Sequence, residues 1–259
     1  MDKELILKEK LAIEKQYGPW EVDNVCLGHG IYTRPDDTSS NLNEVLSIIE
    51  DFTEVAFSSL RILQIVSGEG GLCLELARRG SNVVGIESQE GKFQRACFAQ
   101  RALGLDQLDF LKLDPYQPLK DRLGFFDIII CLETPATLSA NEMVSIIEHL
   151  GWMASGLLVI RVPILSYEEY RNESLSIVSC GGQQYLGAFC GDVNVPRESP
   201  MGQPENLACR PSFTFSEDSM SKLLKRAGLT HIYKYLLHQE ESRSFLFVGK
   251  KIPSRQSLY

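Results

Sequence analysis

The stretch RILQIVSGEGGLCLELARRGSNVVGIES, Arg61 to Ser88, decides how this chain folds. It begins with an apolar run that reads as a strand over 60–65. The glycine knot SGEGG (Ser67–Gly71) follows, then a helical spacing over 71–79 and a second strand over 82–87 that ends on an acid. Glycines placed after a first strand let the backbone approach a ligand, and the exposed amides of the next helix receive its polar groups. An acid at the end of the second strand, roughly twenty residues on, holds a ribose; Glu87 stands nineteen positions after Gly68. Strand, glycine turn, helix, strand and acid in that order point to a nucleotide-binding βαβ unit. The plainer alternative is a tight turn with Glu87 as a surface carboxylate.

Working outward, the alternation continues. Helix 90–103 leads to strand 108–113, a short helical or looped segment to strand 126–132, and helix 140–153 to strand 156–162. Continuous apolar runs such as FDIIICL and GLLVIRV suit strands covered on both faces, as parallel strands are, and the alternation implies right-handed crossovers. THIYKYLL and SFLFVGKK close the chain as a pair near enough in sequence to run antiparallel. The expectation is an α/β, Rossmann-like, doubly wound sheet of seven mostly parallel strands with an antiparallel C-terminal strand.

Two segments lie outside the alternation. Residues 1–57 read as an N-terminal helical cap and entry segment: a helix over 2–16 broken at Gly18-Pro19, the glycine-punctuated VCLGHGIYT, and a helix from about Asn41. Residues 58–259 form the nucleotide-binding domain, interrupted at about 165–215 by a Gly- and Pro-rich insertion that reads as a long functional loop or lid. A helix over 217–227 resumes the pattern.

Composition narrows the function. A net charge of −8 and a pI near 5.2 argue against a polyanionic partner, because phosphate contacts need clustered Lys and Arg. No window approaches the ~18 continuous apolar residues of a membrane span, and the charged N-terminus lacks the pattern of a secretory signal. The seven cysteines are odd in number and form no C-x-x-C pair, as expected of free thiols in a reducing, cytoplasmic compartment. EEYRNE reads as a solvated helix face, and no metal is expected.

A dinucleotide fold usually offers G-x-G-x-x-G, whereas Cys73 stands where its third glycine would be. The order instead resembles the class I S-adenosylmethionine (SAM) dependent methyltransferases, whose first motif is commonly acid-x-Gly-x-Gly-x-Gly. RILQIVSGEGGLCLELARRGSNVVGIES looks like the first two motifs, LDFLKLDPYQPL like the third and FDIIICLETPATL like the fourth strand and the loop beside the transfer centre. The segments YGPWEVDNVCLGHGIYT and GGQQYLGAFCGD…RPSFTFSEDSMSKLLKRAGL resemble a bacterial subgroup that includes tRNA uridine modifiers and natural-product enzymes. The resemblance implies SAM as cofactor, held by Gln64, Ser67, Gly68, Glu69 and Gly70 at the first motif and by Glu87 and Ser88 at the second. It further implies Asp114 and Pro115 beside the adenine, Cys131 at the fourth strand, and Trp20 and Tyr32 from the entry segment.

The departures from that pattern matter equally. Gln64 replaces the usual acid, an amide without the charge that pairs with the ammonium group of SAM. Val66 replaces the first glycine with a β-branched residue. Ala136 and Thr137 stand where relatives carry a Tyr-His pair, so candidate acid–base groups are His29 in the entry segment and Glu133 at the carboxyl end of strand 126–132, where open α/β sheets bind ligands. Trp20 and Tyr185 are candidate stacking aromatics. The leading reading is methyl transfer to a small-molecule acceptor, with tRNA less favoured by the charge. A degenerate homologue acting as a binding or partner subunit, in a homo- or hetero-oligomer, is the rival, and SAM-dependent chemistry other than methylation a third reading.

Overall fold

The computed structural model describes residues 1–34, 42–117, 119–134, 138–165, 175–190, 212–237 and 244–252. Twelve strands are seen among them: β1 (Cys26–Gly28), β2 (Ile31–Tyr32), β3 (Arg61–Ile65), β4 (Asn82–Ile86), β5 (Leu108–Leu111), β6 (Phe126–Cys131), β7 (Ala154–Pro163), β8 (Ser176–Cys180), β9 (Gln183–Cys190), β10 (Ser212–Phe215), β11 (His231–Tyr235) and β12 (Ser244–Lys250). The helices are α1 (Lys3–Tyr17), α2 (Leu42–Phe52), α3 (Gly71–Arg78), α4 (Glu90–Leu103), a short α5 (Lys120–Leu123), α6 (Ala140–Met153) and α7 (Glu217–Arg226).

Seven strands form one sheet in the order β11-β12-β7-β6-β3-β4-β5. The pairs β3–β4, β4–β5 and β3–β6 are parallel, and β11–β12 is antiparallel. The doubly wound α/β expectation therefore holds, with its antiparallel end. Strand order reverses at β3: the chain steps from β3 to β4 and β5 on one side and returns to β6 on the other. Open α/β sheets bind ligands at the carboxyl ends of strands at such a reversal. Ile65, Ile86 and Cys131 stand level there, since Ile65 pairs with both of the others.

Helix ends follow local chemistry. The Asp2 side chain caps α1 by accepting from the Leu5 N–H at 2.8 Å, and Gly18 ends it with φ of 85°. Ser216 caps α7, whose first turn carries Glu217 and Asp218 and whose last carries Lys225 and Arg226, complementing the helix dipole at both ends.

The chain divides into two compact units, one of residues 1–132, 153–159 and 237–239, the other of 133–152, 160–236 and 240–259. In the first, Phe110 fills the space that the missing side chains of Gly70 and Gly85 leave; a Cβ on either would lie 2.6 Å from its ring. In the second, the described residues 176–180, 183–190 and 212–215 of the insertion form strands where a long loop was expected. β8, β9 and β10 form an antiparallel sheet in the order β10-β9-β8. Gly181 and Gly182, with φ of 55° and 77°, make its first turn. Two successive positive-φ residues are what a tight two-residue hairpin requires. Tyr185 is buried there, its ring edge-on to Phe215 at 5.8 Å and its hydroxyl 3.4 Å from Arg226 Nη1. Arg226 also pairs with Glu148.

Candidate functional site

The turn from Val66 to Gly70 follows β3 at the strand-order reversal and is held in a left-handed shape. Gly68 and Gly70 have φ of 60° and 89°, and Val66 has φ of 54°. A β-branched residue in that region costs about 1–2 kcal/mol, so the turn takes a glycine-like backbone at a valine. Strain of this kind collects at functional sites. A Cβ built on Gly68 meets no atom within 4 Å, which leaves open space over the turn.

Carboxylates occupy the turn's amides. Glu87, 1% exposed, accepts from the Gly68 N–H through Oε2 and from the Gln89 N–H through Oε1, at 2.9 and 2.8 Å. Asp23 Oδ2 accepts from the Gly71 N–H at 2.8 Å, and the Gly70 N–H donates to the Ser67 carbonyl at 3.0 Å. The Ser67 hydroxyl is buried and has no partner among the described residues.

Glu69 points the other way. Its Oε1 accepts from the Glu21 N–H at 2.9 Å, and its Oε2 from the Val22 and Asp23 N–H groups at 2.9 and 3.1 Å. Arg95 Nε lies 2.8 Å from Oε1, with side-chain exposures of 3% and 0% for the pair. That contact is one of charge, the N–H not being aimed at the oxygen. Arg95 Nη1 donates to the Tyr17 and Gly18 carbonyls at the C-terminal end of α1. Glu69 and Arg95 thereby pin residues 17–23 against the glycine turn and α4. Thr33 completes the entry segment, its hydroxyl accepting from the Val25 N–H and donating to the Asp23 carbonyl.

Gln64 is buried, and its Oε1 accepts from the Cys73 thiol at 3.0 Å. Burial pushes the Cys73 thiol well above its ordinary range, and the nearby Asp23 carboxylate adds to the effect. The buried thiol serves as a hydrogen-bond donor to Gln64.

The remaining sequence-predicted residues differ in their surroundings. Trp20 is buried against Phe98 of α4, ring centroids 5.9 Å apart, and its indole N–H has no partner among the described residues. Tyr32 and Ser88 are exposed, Pro115 and Cys131 buried. Asp114 is exposed and closes its own turn, accepting from the Tyr116 N–H and the Gln117 side chain. His29 sits with φ of 52° at the exposed tip of the β1–β2 hairpin, its Nε2 3.3 Å from the Met1 carbonyl oxygen. Glu133 is exposed beyond β6, in the second unit. Ala136 and Thr137 lie outside the described residues, as does much of the 165–215 insertion. Reasoning from sequence passed over Asp23 and Arg95, because each acts across a gap in sequence that no local pattern marks.

No family model matches the chain, and no curated protein matches it by sequence. Solved structures do match by fold. The N-terminal domain of EvdMO1 with SAH bound superposes with a TM-score of 0.67 at 20% identity, over 97% of this chain and 98% of that one. The same domain in the presence of SAH and D-fucose gives 0.64 at 20% identity over the same shares. Magnesium protoporphyrin IX methyltransferase (ChlM) from Synechocystis PCC 6803 with bound SAM gives 0.54 at 18% identity, over 82% of this chain and 78% of that one. The chain thus shares the fold of SAM-dependent methyltransferases.

Proposed function

We propose that the chain binds SAM at the turn after β3 and transfers its methyl group to a small-molecule acceptor. The observation that carries this reading is the charge at the turn. A pyrophosphate cofactor needs the turn's amides free, but the Gly68 and Gly71 N–H groups already bond the carboxylates of Glu87 and Asp23. Two negative groups there repel phosphate and favour an adenosyl ligand that has no phosphate and carries a positive sulfonium. This counts against a nicotinamide dinucleotide.

The nucleoside end of such a ligand fits the turn. A carboxylate offers about four lone-pair sites, so Glu87, with one N–H on each oxygen, has capacity left for ribose hydroxyls. Gly68 leaves room above the backbone, and the unpartnered Ser67 hydroxyl is a further group a ligand would satisfy. Bound SAM supplies an activated methyl on sulfur. The chain's share is positioning and exclusion of water, which carry much of the acceleration in an in-line displacement. The acidic chain favours a small acceptor over tRNA, and D-fucose with the matched EvdMO1 domain is a small-molecule precedent.

The rival reading, a binding subunit without transfer activity, draws on Gln64, whose amide oxygen is turned to Cys73. Calorimetry and thermal shift with SAM and SAH test the proposal. A ligand at a hundred times its Kd stabilises the native state by about 2.7 kcal/mol. Stabilisation by either ligand is expected; none at millimolar concentration of both sinks the adenosyl reading, and binding without turnover across an acceptor panel favours the rival.

A further inference from the structure

With Gln64 neutral and committed to Cys73, the charge for the amino-acid end of an adenosyl ligand has to come from elsewhere. Asp23 is in place to supply it. Its carboxylate lies at the first turn of α3, where the helix's own N-cap, Gly70, has no side chain to offer. Asp23 reaches in from forty-eight positions upstream. The approach is close: a Cβ on Gly71 would sit 2.5 Å from the Asp23 carboxyl carbon. Asp23 is only half-buried, and its charge is felt by the same thiol that Gln64 holds. The turn just before it carries the Ser67 hydroxyl, 4% exposed and without a partner among the described residues.

We propose that Asp23 replaces the missing acid of position 64 and pairs with the α-ammonium of the cofactor. The inference rests on the adenosyl reading above. It assigns Asp23 a second task beside capping α3; a carboxylate has about four lone-pair sites, of which the Gly71 N–H takes one. The segment that carries this carboxylate is pinned by Glu69 and Thr33.

The test separates charge from capping. Asp23→Asn keeps an oxygen for the Gly71 N–H and removes the charge. Full-length wild type and variant are titrated by calorimetry with S-adenosylhomocysteine, with its deaminated analogue and with 5′-methylthioadenosine. Wild type should prefer S-adenosylhomocysteine to the deaminated analogue by about tenfold or more, the worth of one charge-assisted contact. Asp23→Asn should erase that preference while binding 5′-methylthioadenosine within about twofold of wild type. Equal loss of all three ligands, or a preference that survives the substitution, overturns the proposal. Should Asp23→Asn not fold, Asp23→Ser is the second neutral variant that still caps a helix, and a wild type without the preference overturns the proposal by itself. Failure of wild type to bind any of the three removes the adenosyl reading, and this inference with it.

Discussion

Glu69→Gln is the most informative perturbation of the pinned entry segment. The substitution is nearly isosteric, so it changes charge and donor pattern and little else. In the native site both oxygens are occupied, Oε1 by Glu21 N–H and Arg95, Oε2 by the Val22 and Asp23 N–H groups. A glutamine must turn its NH2 toward one of these sets, placing donor against donor, and it leaves Arg95 buried without its counter-charge. Removing one partner of a buried ion pair costs about 3–5 kcal/mol. Because the loss falls on residues 17–23, amide exchange at Glu21, Val22 and Asp23 is the direct assay. At about 1.4 kcal/mol per decade, their protection should fall by about two to four powers of ten, while exchange in β3 and β6 changes less. Arg95→Met should cost less at those amides, because a carboxylate accepting three backbone N–H groups is well stabilised without a cation. Unchanged protection at the three amides in Glu69→Gln would refute the strut.

Gly68→Ala and Gly70→Ala should part company. Both meet the about 1–2 kcal/mol of left-handed strain, but only Gly70→Ala drives a Cβ to 2.6 Å from Phe110, adding about 1–3 kcal/mol of overpacking, so urea melts should rank it clearly lower. Gly68→Ala should instead keep most of its stability and lose affinity for S-adenosylhomocysteine, and equal binding would show that the space over the turn is not the ligand's. The Cys73 thiol should resist Ellman's reagent in the native state. Its folded value lies above the ordinary 9.0, so its contribution is fully present below that pH and is lost as pH rises above it, when the unfolded thiol ionises first; the alkaline fall in stability should be shallower in Cys73→Ala, and identical slopes would contradict the assignment.

The alternating elements of the sheet were legible because period and apolar runs are local signals: helix 90–103 and helix 140–153 stand where the spacing puts them, and the strands differ by only a few residues at their ends. Within the insertion, residues 176–190 were read as loop because the Gly and Pro content outweighed a shorter signal, Gly181-Gly182 between two strand-like runs, which is a hairpin in its own right. At the site, the glycine turn and Glu87 were legible from order and spacing. The direction of Glu69 was not, because it is decided by Arg95, twenty-six positions away, and by three amides of the entry segment. The same non-local logic bears on Gln64 and Val66, which viewed along β3 alone look like the loss of a cofactor site. Seen in space, the Val66 backbone takes the left-handed conformation that glycine favours, and a carboxylate, that of Asp23, lies 2.8 Å from the first amide of α3. Under the proposal for Asp23 the charge comes from another segment, and the buried pair of Glu69 and Arg95 is what holds that segment in place. Degeneracy in a motif is therefore a statement about one segment, and whether the site is degenerate depends on what the rest of the fold brings to it.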